Sequence, residues 1–510
     1  MDRFVQGSVA FFRRMEDVRL LAAVIALVVV FIAVNKPNTF NKDGILYLEA
    51  AEAFADKGLD EAMSVYRWPF YPIAIALVGK LTHLPMELTA HALNALLCAV
   101  VVTSFITILK EMGASKSVQV LGSIIVLSHP RLQHYHHYIS RDYGYWAFLL
   151  LSLVQMMRYY HQLYFRHALG WGFFITMAAL FRPEGFVLMF FSPLVLLFRT
   201  GTGAWGRLGG LLKPYGLFLV FILLGGIWEL TRVGAPPFPL SRFGEFLKQL
   251  TNGLAMVNEN LNAKAAIATG QLLPPYLTKF SRIMIISGLA GIFFYQFITA
   301  LYPLHVLLLG YGIGKAVFPD AGGSKKVIYV YVLLSLVIPA VYLYQKFILS
   351  HRFLMPSILL LLLWVPFSVH HIFQLWQNRP KGFSRIKIIF PLMAAWLLVM
   401  FVYILIPPRG LDSYILDAGT WLKTHMPPDA SLYTNEVKLA YYAKRKYKQF
   451  DVLEKSKKGF WGPGDYIALK VYPKDYENVR SRLAAANLTP IKTMKNKEGR
   501  RVVIVKIANP

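Results

Sequence analysis

Apolar runs of membrane-spanning length recur along this chain, and they constrain its fold more than any other feature. A bilayer core takes about 20 apolar residues per helix. Backbone groups in lipid must be satisfied within the segment, so such runs are expected to be helices. We read spans at 18–34, 89–109, 117–132, 143–157, 168–181, 186–198, 211–230, 299–316, 327–345, 355–371 and 388–406. Stretches 69–82 and 283–298 are also apolar, so the chain is expected to carry about eleven to thirteen transmembrane helices. Pro69 and Pro72 favour an interfacial segment for the first of these. Only 16% of the residues are charged, less than a soluble domain of this size carries. The ten-residue alternation of an outer-membrane barrel is absent.

The short loops give a direction. With the N-terminus inside, segments 1–19, 110–116, 158–167, 199–213, 315–326 and 372–387 hold eighteen Lys/Arg against five Asp/Glu. That is the positive-inside pattern, and it places the chain in the inner (plasma) membrane with a cytoplasmic N-terminus. The net charge of +27 is then explained by basic loops and anionic lipids, and no nucleic acid partner is called for. The single cysteine, Cys98, excludes an intramolecular disulfide and a thiolate metal site. The run after Arg13, Arg14 and Arg19 has no clean small-residue cleavage site, so we expect a retained helix rather than a signal peptide.

This orientation turns four regions outward: 35–68 with its extension to 88, the loop 133–142, the segment 231–282, and everything after Pro407. The chain thus divides into a transmembrane domain, 1–406, carrying the outer loop 35–88, and a tail, 407–510. The tail is polar and Lys-rich, with twenty Lys/Arg and ten Asp/Glu. Strand-like runs (431–434, 466–472, 501–507) alternate there with helical ones (436–443, 474–485). That predicts a small extracytoplasmic α/β domain. No internal repeat is visible, which counts against a transporter built from related halves.

Chemistry-bearing residues gather at the outward helix ends. Asp43 opens an amphipathic helix just past the first span. A carboxylate there suits a general base or a cation ligand, and equally a residue favoured by the helix dipole. Tyr66-Arg67-Trp68-Pro69-Phe70-Tyr71-Pro72 reads either as interfacial anchoring or as a site where Arg67 holds a phosphate. Four histidines in the nine residues from His129 to His137 read as a metal site or as interfacial polar surface, and we assign no metal. Arg141-Asp142, Arg182-Pro183-Glu184-Gly185, Lys346 and His351-Arg352 complete the set. Each alone suits a snorkelling or capping charge. Together they are expected to line one outward cavity able to bind a lipid-linked phosphate. The phosphate-binding Gly-x-x-x-x-Gly-Lys-Ser/Thr, His-Glu-x-x-His and Gly-x-Ser-x-Gly motifs are all absent.

The order of these features resembles the GT-C superfamily of polyprenyl-phosphate-dependent glycosyltransferases. Within it, the bacterial branch of protein O-mannosyltransferases and lipid A aminoarabinose transferases looks most similar. The resemblance rests on Asp43 after the first span, the Ala50–Gly58 helix end, the Tyr66–Pro72 segment, Arg141-Asp142, Arg182-Pro183-Glu184-Gly185 and Arg352-Phe353-x-x-Pro356. The tail adds Ala418–Lys423, Tyr433–Glu436 and Tyr441–Arg445. It implies an inverting transfer of a sugar, hexosyl or pentosyl, from a polyprenyl phosphate to a lipid, glycan or protein acceptor at the outer membrane face. Asp43 would take the acceptor's proton, and Asp142 would orient the acceptor or assist. Arg352 first, then Arg67, Arg182 and Lys346, with Arg141, would stabilise the departing phosphate. Tyr66, Tyr71, Glu184 and His351 would line the substrate cavity. Asp43 is followed by Gly44 where several members carry a second acid, so no cofactor is assigned and a divalent cation stays an alternative. A flippase, a ligase of lipid-linked glycan and a non-catalytic scaffold are the competing readings.

Overall fold

The computed structural model describes residues 17–35, 39–201, 203–231, 252–319, 322–378, 386–403, 412–450 and 462–507. Contacts divide the chain into two compact units. Unit 1 comprises Met1–Val30, Ala92–His136 and Ser140–Ile404; unit 2 gathers Phe31–His91, His137–Ile139 and Leu405–Pro510. The outer loop and the tail, far apart in sequence, thus fall in the same unit.

Unit 1 is helical. Among the described residues, the helices Met86–Glu111, Pro275–Leu301 and Gly323–Lys346 are long and apolar enough to cross a membrane. The pair His351–Leu362 and Val365–Gln377, bent by 42°, makes a fourth if it is one span. Of seven shorter apolar helices among the described residues, Phe70–Thr82 lies in unit 2; the others include Val18–Val34, Lys116–Ser128 and Phe165–Phe181. The protein is therefore a polytopic helical membrane protein.

One stretch left open becomes a long helix, and one expected span differs. Stretch 283–298 belongs to one of the three long helices. The expected span 299–316 is two pieces, because Tyr302 (φ 70°) breaks the chain between Ser281–Leu301 and Pro303–Gly314. Pro303 supplies the reason: its ring disfavours the helical conformation at the residue before it, while suiting the first turn of a new helix. Residues 232–251, the first part of the expected outward segment 231–282, lie outside the described residues; the rest includes the helix Gly253–Gln271.

The antiparallel helices Asp142–Gln162 and Phe165–Phe181 pack closely in unit 1, with Trp146, Trp171 and Tyr159 enclosed. Gly144 makes their close approach possible: a Cβ there would lie 2.2 Å from the Phe181 ring. The approach brings Arg182, the residue after Phe181, beside Asp142.

Unit 2 contains the expected α/β domain. Its five strands are β1 (Leu432–Thr434), β2 (Tyr447–Gln449), β3 (Tyr466–Val471), β4 (Pro490–Lys495) and β5 (Arg501–Lys506), in the order β2-β1-β3-β5-β4. β1 runs parallel to β2 and β3, whereas β5 is antiparallel to β3 and β4. Period-2 alternation along β3 gives the sheet two apolar faces. Tyr466 and Ala468 pack with Val502 and Ile504 under the helices Ser413–His425 and Val437–Ala443. Ile467, Leu469 and Val471 pack with Val503 and Val505 under Tyr476–Ala485.

Candidate functional site

In unit 1 the structure brings Asp142, Arg182, Glu184 and Arg352 together. Arg182 is 3% exposed and Asp142 2%. The guanidinium donates to Asp142 Oδ1 through Nη1, to Glu184 Oε1 through Nη2 (2.5 Å) and to Glu184 Oε2 through Nε (3.2 Å). Ser140 donates to Asp142 Oδ2 at 2.7 Å, so both oxygens of that carboxylate accept a hydrogen bond. A buried acid and a partly buried one around a buried arginine are compatible with a low-dielectric setting only when this well satisfied. Arg182 also lies 4.7 Å from the centroid of Phe353. The gap between Arg182, Glu184, Tyr145 and Arg352 is a cavity of about 10 Å³. It holds one water at most.

Positive charge accumulates beside this triad. Arg352 and Arg141 both act electrostatically on Asp142. His351, at the start of its helix, faces Arg131 and His134. Among the described residues, the buried nitrogens Arg131 Nε and His351 Nε2 have no hydrogen-bond partner. Buried donors left this way are rare and point to a missing acceptor. Sequence reasoning passed over Arg131 and His134. They stood inside the quoted histidine-rich loop, but nothing in the sequence paired them with His351.

The histidines of that loop have separate partners. His129 stacks on His305 with ring centroids 5.5 Å apart, His136 bonds the Tyr143 hydroxyl at 2.7 Å, and His137 meets Tyr138. No group of three or more His, Cys, Asp or Glu side chains suited to a metal occurs among the described residues.

Unit 2 holds Asp43, Tyr66, Arg67 and Tyr71. Asp43 lies in the first turn of the helix Lys42–Lys57 and is partly exposed. Asn41, the residue before this helix, does not cap it. Its amide is used elsewhere: Asn41 Nδ2 donates to Ile139 O and Asn41 Oδ1 accepts from Ile139 N, each at 3.0 Å. This reciprocal bracket holds segment 137–139 against the helix start. Burial, with the charges of Asp412 and Asp43, raises the Tyr138 hydroxyl above its ordinary range. Gly44 is required here, since a Cβ would lie 2.7 Å from Asn41 Oδ1 and 3.0 Å from Ile139 Cβ. The bracket thus explains why no second acid follows Asp43.

The tail domain grips the same helix start. Glu436, 1% exposed, accepts from Lys42 (3.3 Å) and Lys470 (2.9 Å). Lys438 donates to Thr39 (2.9 Å) and Asp412 (2.7 Å). The Phe40 amide donates to the Tyr442 hydroxyl at 2.8 Å, and Tyr441 bonds Glu87. Burial works against ionisation of Glu436 and Asp412, but the lysines outweigh it and hold both carboxyls below their ordinary values. Burial pushes the Tyr442 hydroxyl up to about 12. Tyr47 packs edge-on against both Tyr66 and Tyr71 behind the helix. Arg67 and, in unit 1, Lys346 are exposed.

No protein-family model and no curated protein matches this sequence. Among solved structures, the chain is similar to the archaeal oligosaccharyltransferase AglB from Archaeoglobus fulgidus, determined with an inhibitory peptide and a dolichol-phosphate. The TM-score is 0.49 at 12% identity, over 87% of this chain and 61% of that one. This chain therefore spans less than two thirds of that protein's length.

Proposed function

We propose that this protein is an inverting glycosyltransferase. In this reading it moves a sugar from a polyprenyl phosphate to an acceptor at the outer face of the membrane. The observation that carries it is the cationic group at His351-Arg352. Arg352 and Arg141 adjoin an acid already engaged by Arg182, His351 faces Arg131, and a buried nitrogen of each of the last two lacks a partner among the described residues. Such a group stabilises the charge of a departing lipid phosphate better than it stabilises a neutral ligand. The pattern of Asp43, Arg141-Asp142 and Arg352 along the sequence, which resembles GT-C enzymes, supports the same reading.

The acceptor's hydroxyl or amine attacks the anomeric carbon as its proton passes to Asp43. The new bond forms as the bond from that carbon to the phosphate oxygen breaks. The electron pair leaves with the polyprenyl phosphate, held by Arg352 and its neighbours. Asp142 serves by orienting Arg182 rather than by accepting a proton, because both its oxygens already accept hydrogen bonds. The tail sits outside the membrane with the outer loop 35–88, and the N-terminus is cytoplasmic.

The test uses the full chain in nanodiscs with synthetic polyprenyl-phosphate pentoses and hexoses. Transfer by the wild type and its loss in Asp43→Asn support the reading. Transport of lipid-linked glycan across liposomes without transfer would replace it with a flippase. Undiminished transfer by Asp43→Asn would remove Asp43 from the mechanism.

A further inference from the structure

A second polar site lies in unit 1, at the far end of the same two helices. The Asp142–Gln162 helix has 21 residues and rises about 30 Å. Asp142 and Arg182 mark one end of the antiparallel pair. At the other end, an open surface cavity of about 570 Å³ is lined by Glu111, Gln155, Arg158, Gln162, Arg166 and His167. The proposed transfer reaction uses none of these residues.

Hydrogen-bond donors dominate this cavity. Glu111 is its single acid, and Arg158 engages it through Nε (2.8 Å) and Nη2 (2.7 Å). Arg166 is exposed and lies 5.3 Å from the Tyr164 ring centroid, so its charge is not cancelled by the glutamate. The buried His167 ring meets the side-chain amide of Gln155 at Nδ1 (3.0 Å) and that of Gln162 at Nε2 (3.1 Å). A neutral ring carries one N–H and donates to only one of these amides; the other amide turns its NH2 to the ring, so one NH2 group is left to donate elsewhere. A charged arginine, a second one held in place and an amide donor suit a tetrahedral anion.

We propose that this cavity binds a phosphate group at the membrane face opposite the transfer site. The shared chemistry is a phosphate ester with room for a glycerol-sized substituent. Its sources are an anionic phospholipid or a soluble phosphate compound. The surroundings favour the lipid: Tyr164, Phe165 and Leu169 are exposed beside the cavity, 55%, 57% and 47% respectively. They offer an interfacial aromatic pair and an apolar strip on which acyl chains can lie.

Native mass spectrometry of the detergent-purified full chain, with phosphatidylglycerol or phosphatidylcholine added, tests the lipid arm. Calorimetry with glycerol 3-phosphate and inorganic phosphate tests the soluble arm. We expect one phosphatidylglycerol retained in preference to phosphatidylcholine. Its retention should fall about tenfold in Arg166→Gln, as for loss of one charged contact. The double variant Glu111→Gln with Arg158→Gln, which removes the ion pair as a unit, should weaken it further. Binding of glycerol 3-phosphate with the same dependence on Arg166, and no lipid preference, supports the site with a soluble ligand. Lipid and phosphate binding unchanged in both variants overturns it. Loss of sugar transfer in Asp43→Asn is read separately and leaves this result untouched.

Discussion

The two acids singled out in the sequence, Asp142 in unit 1 and Asp43 in unit 2, sit in opposite settings. Asp142 is buried and bonded to Ser140 and Arg182. Asp43 is partly exposed on the first turn of a helix whose start is braced from outside by Asn41, Glu436 and Tyr442. In the first case the charge itself is fixed; in the second the backbone is fixed and the carboxylate is left near solvent. A proton-accepting group needs the second arrangement. A group that orients an arginine needs the first.

The largest effect expected from this contrast is on activity. Asp43→Asn should lower transfer by about 10² to 10⁴-fold, the range for losing a positioned general base, with thermal stability unchanged. A loss of stability in place of activity would make Asp43 the structural acid and reverse the comparison. Next, Arg182→Gln takes the paired guanidinium from the buried Asp142 and the partly buried Glu184. It should destabilise unit 1 by about 3–5 kcal/mol, read by thermal unfolding in detergent. Gly44→Ala pushes a methyl into Asn41 and Ile139, for about 1–3 kcal/mol, the cost of overpacking. Transfer should fall with it while unit 1 unfolds as before. If Gly44→Ala transfers normally, the bracket does not position Asp43.

The smallest effect concerns the tail. Glu436→Gln should cost about 1–2 kcal/mol, the scale of a hydrogen bond to a charged group. Most of that belongs to Lys470, since Lys42 is 59% exposed and its pairing is screened by water. The sign with pH follows from the direction of the shifts. Glu436 and Asp412 are held below their ordinary values, so their contribution is full above those values. It is lost as pH falls through the depressed folded values. Unit 2 should therefore loosen in acid, and Glu436→Gln should flatten part of that dependence in a thermal-shift series.

Local patterns carried the sequence reading where a single segment holds the whole signal. Asp43 at a helix start, the helix end at Gly58 (φ 86°) and the alternation of Tyr466–Val471 were all legible. Strands β2 and β4 were not, because their residues are largely exposed and show no apolar alternation. The break at Tyr302 hid inside a continuous apolar run. The pairings stayed invisible altogether. Arg182 with Asp142 spans 40 residues, and Lys438 with Thr39 spans 399; neither separation leaves a trace in local spacing. The mutual fit of Asn41, Gly44 and Ile139 was equally hidden, though the glycine itself stood out.

The brace on Asp43 also sets an order of events during synthesis. Phe40 and Tyr442 are 402 residues apart. At about 5–20 residues per second, roughly 20–80 s separate the emergence of the loop from that of its brace. A nascent chain thus carries the acid long before it carries the contacts that aim it. In the proposed role, Asp43 is aimed only once the chain through Tyr442 has been made and folded.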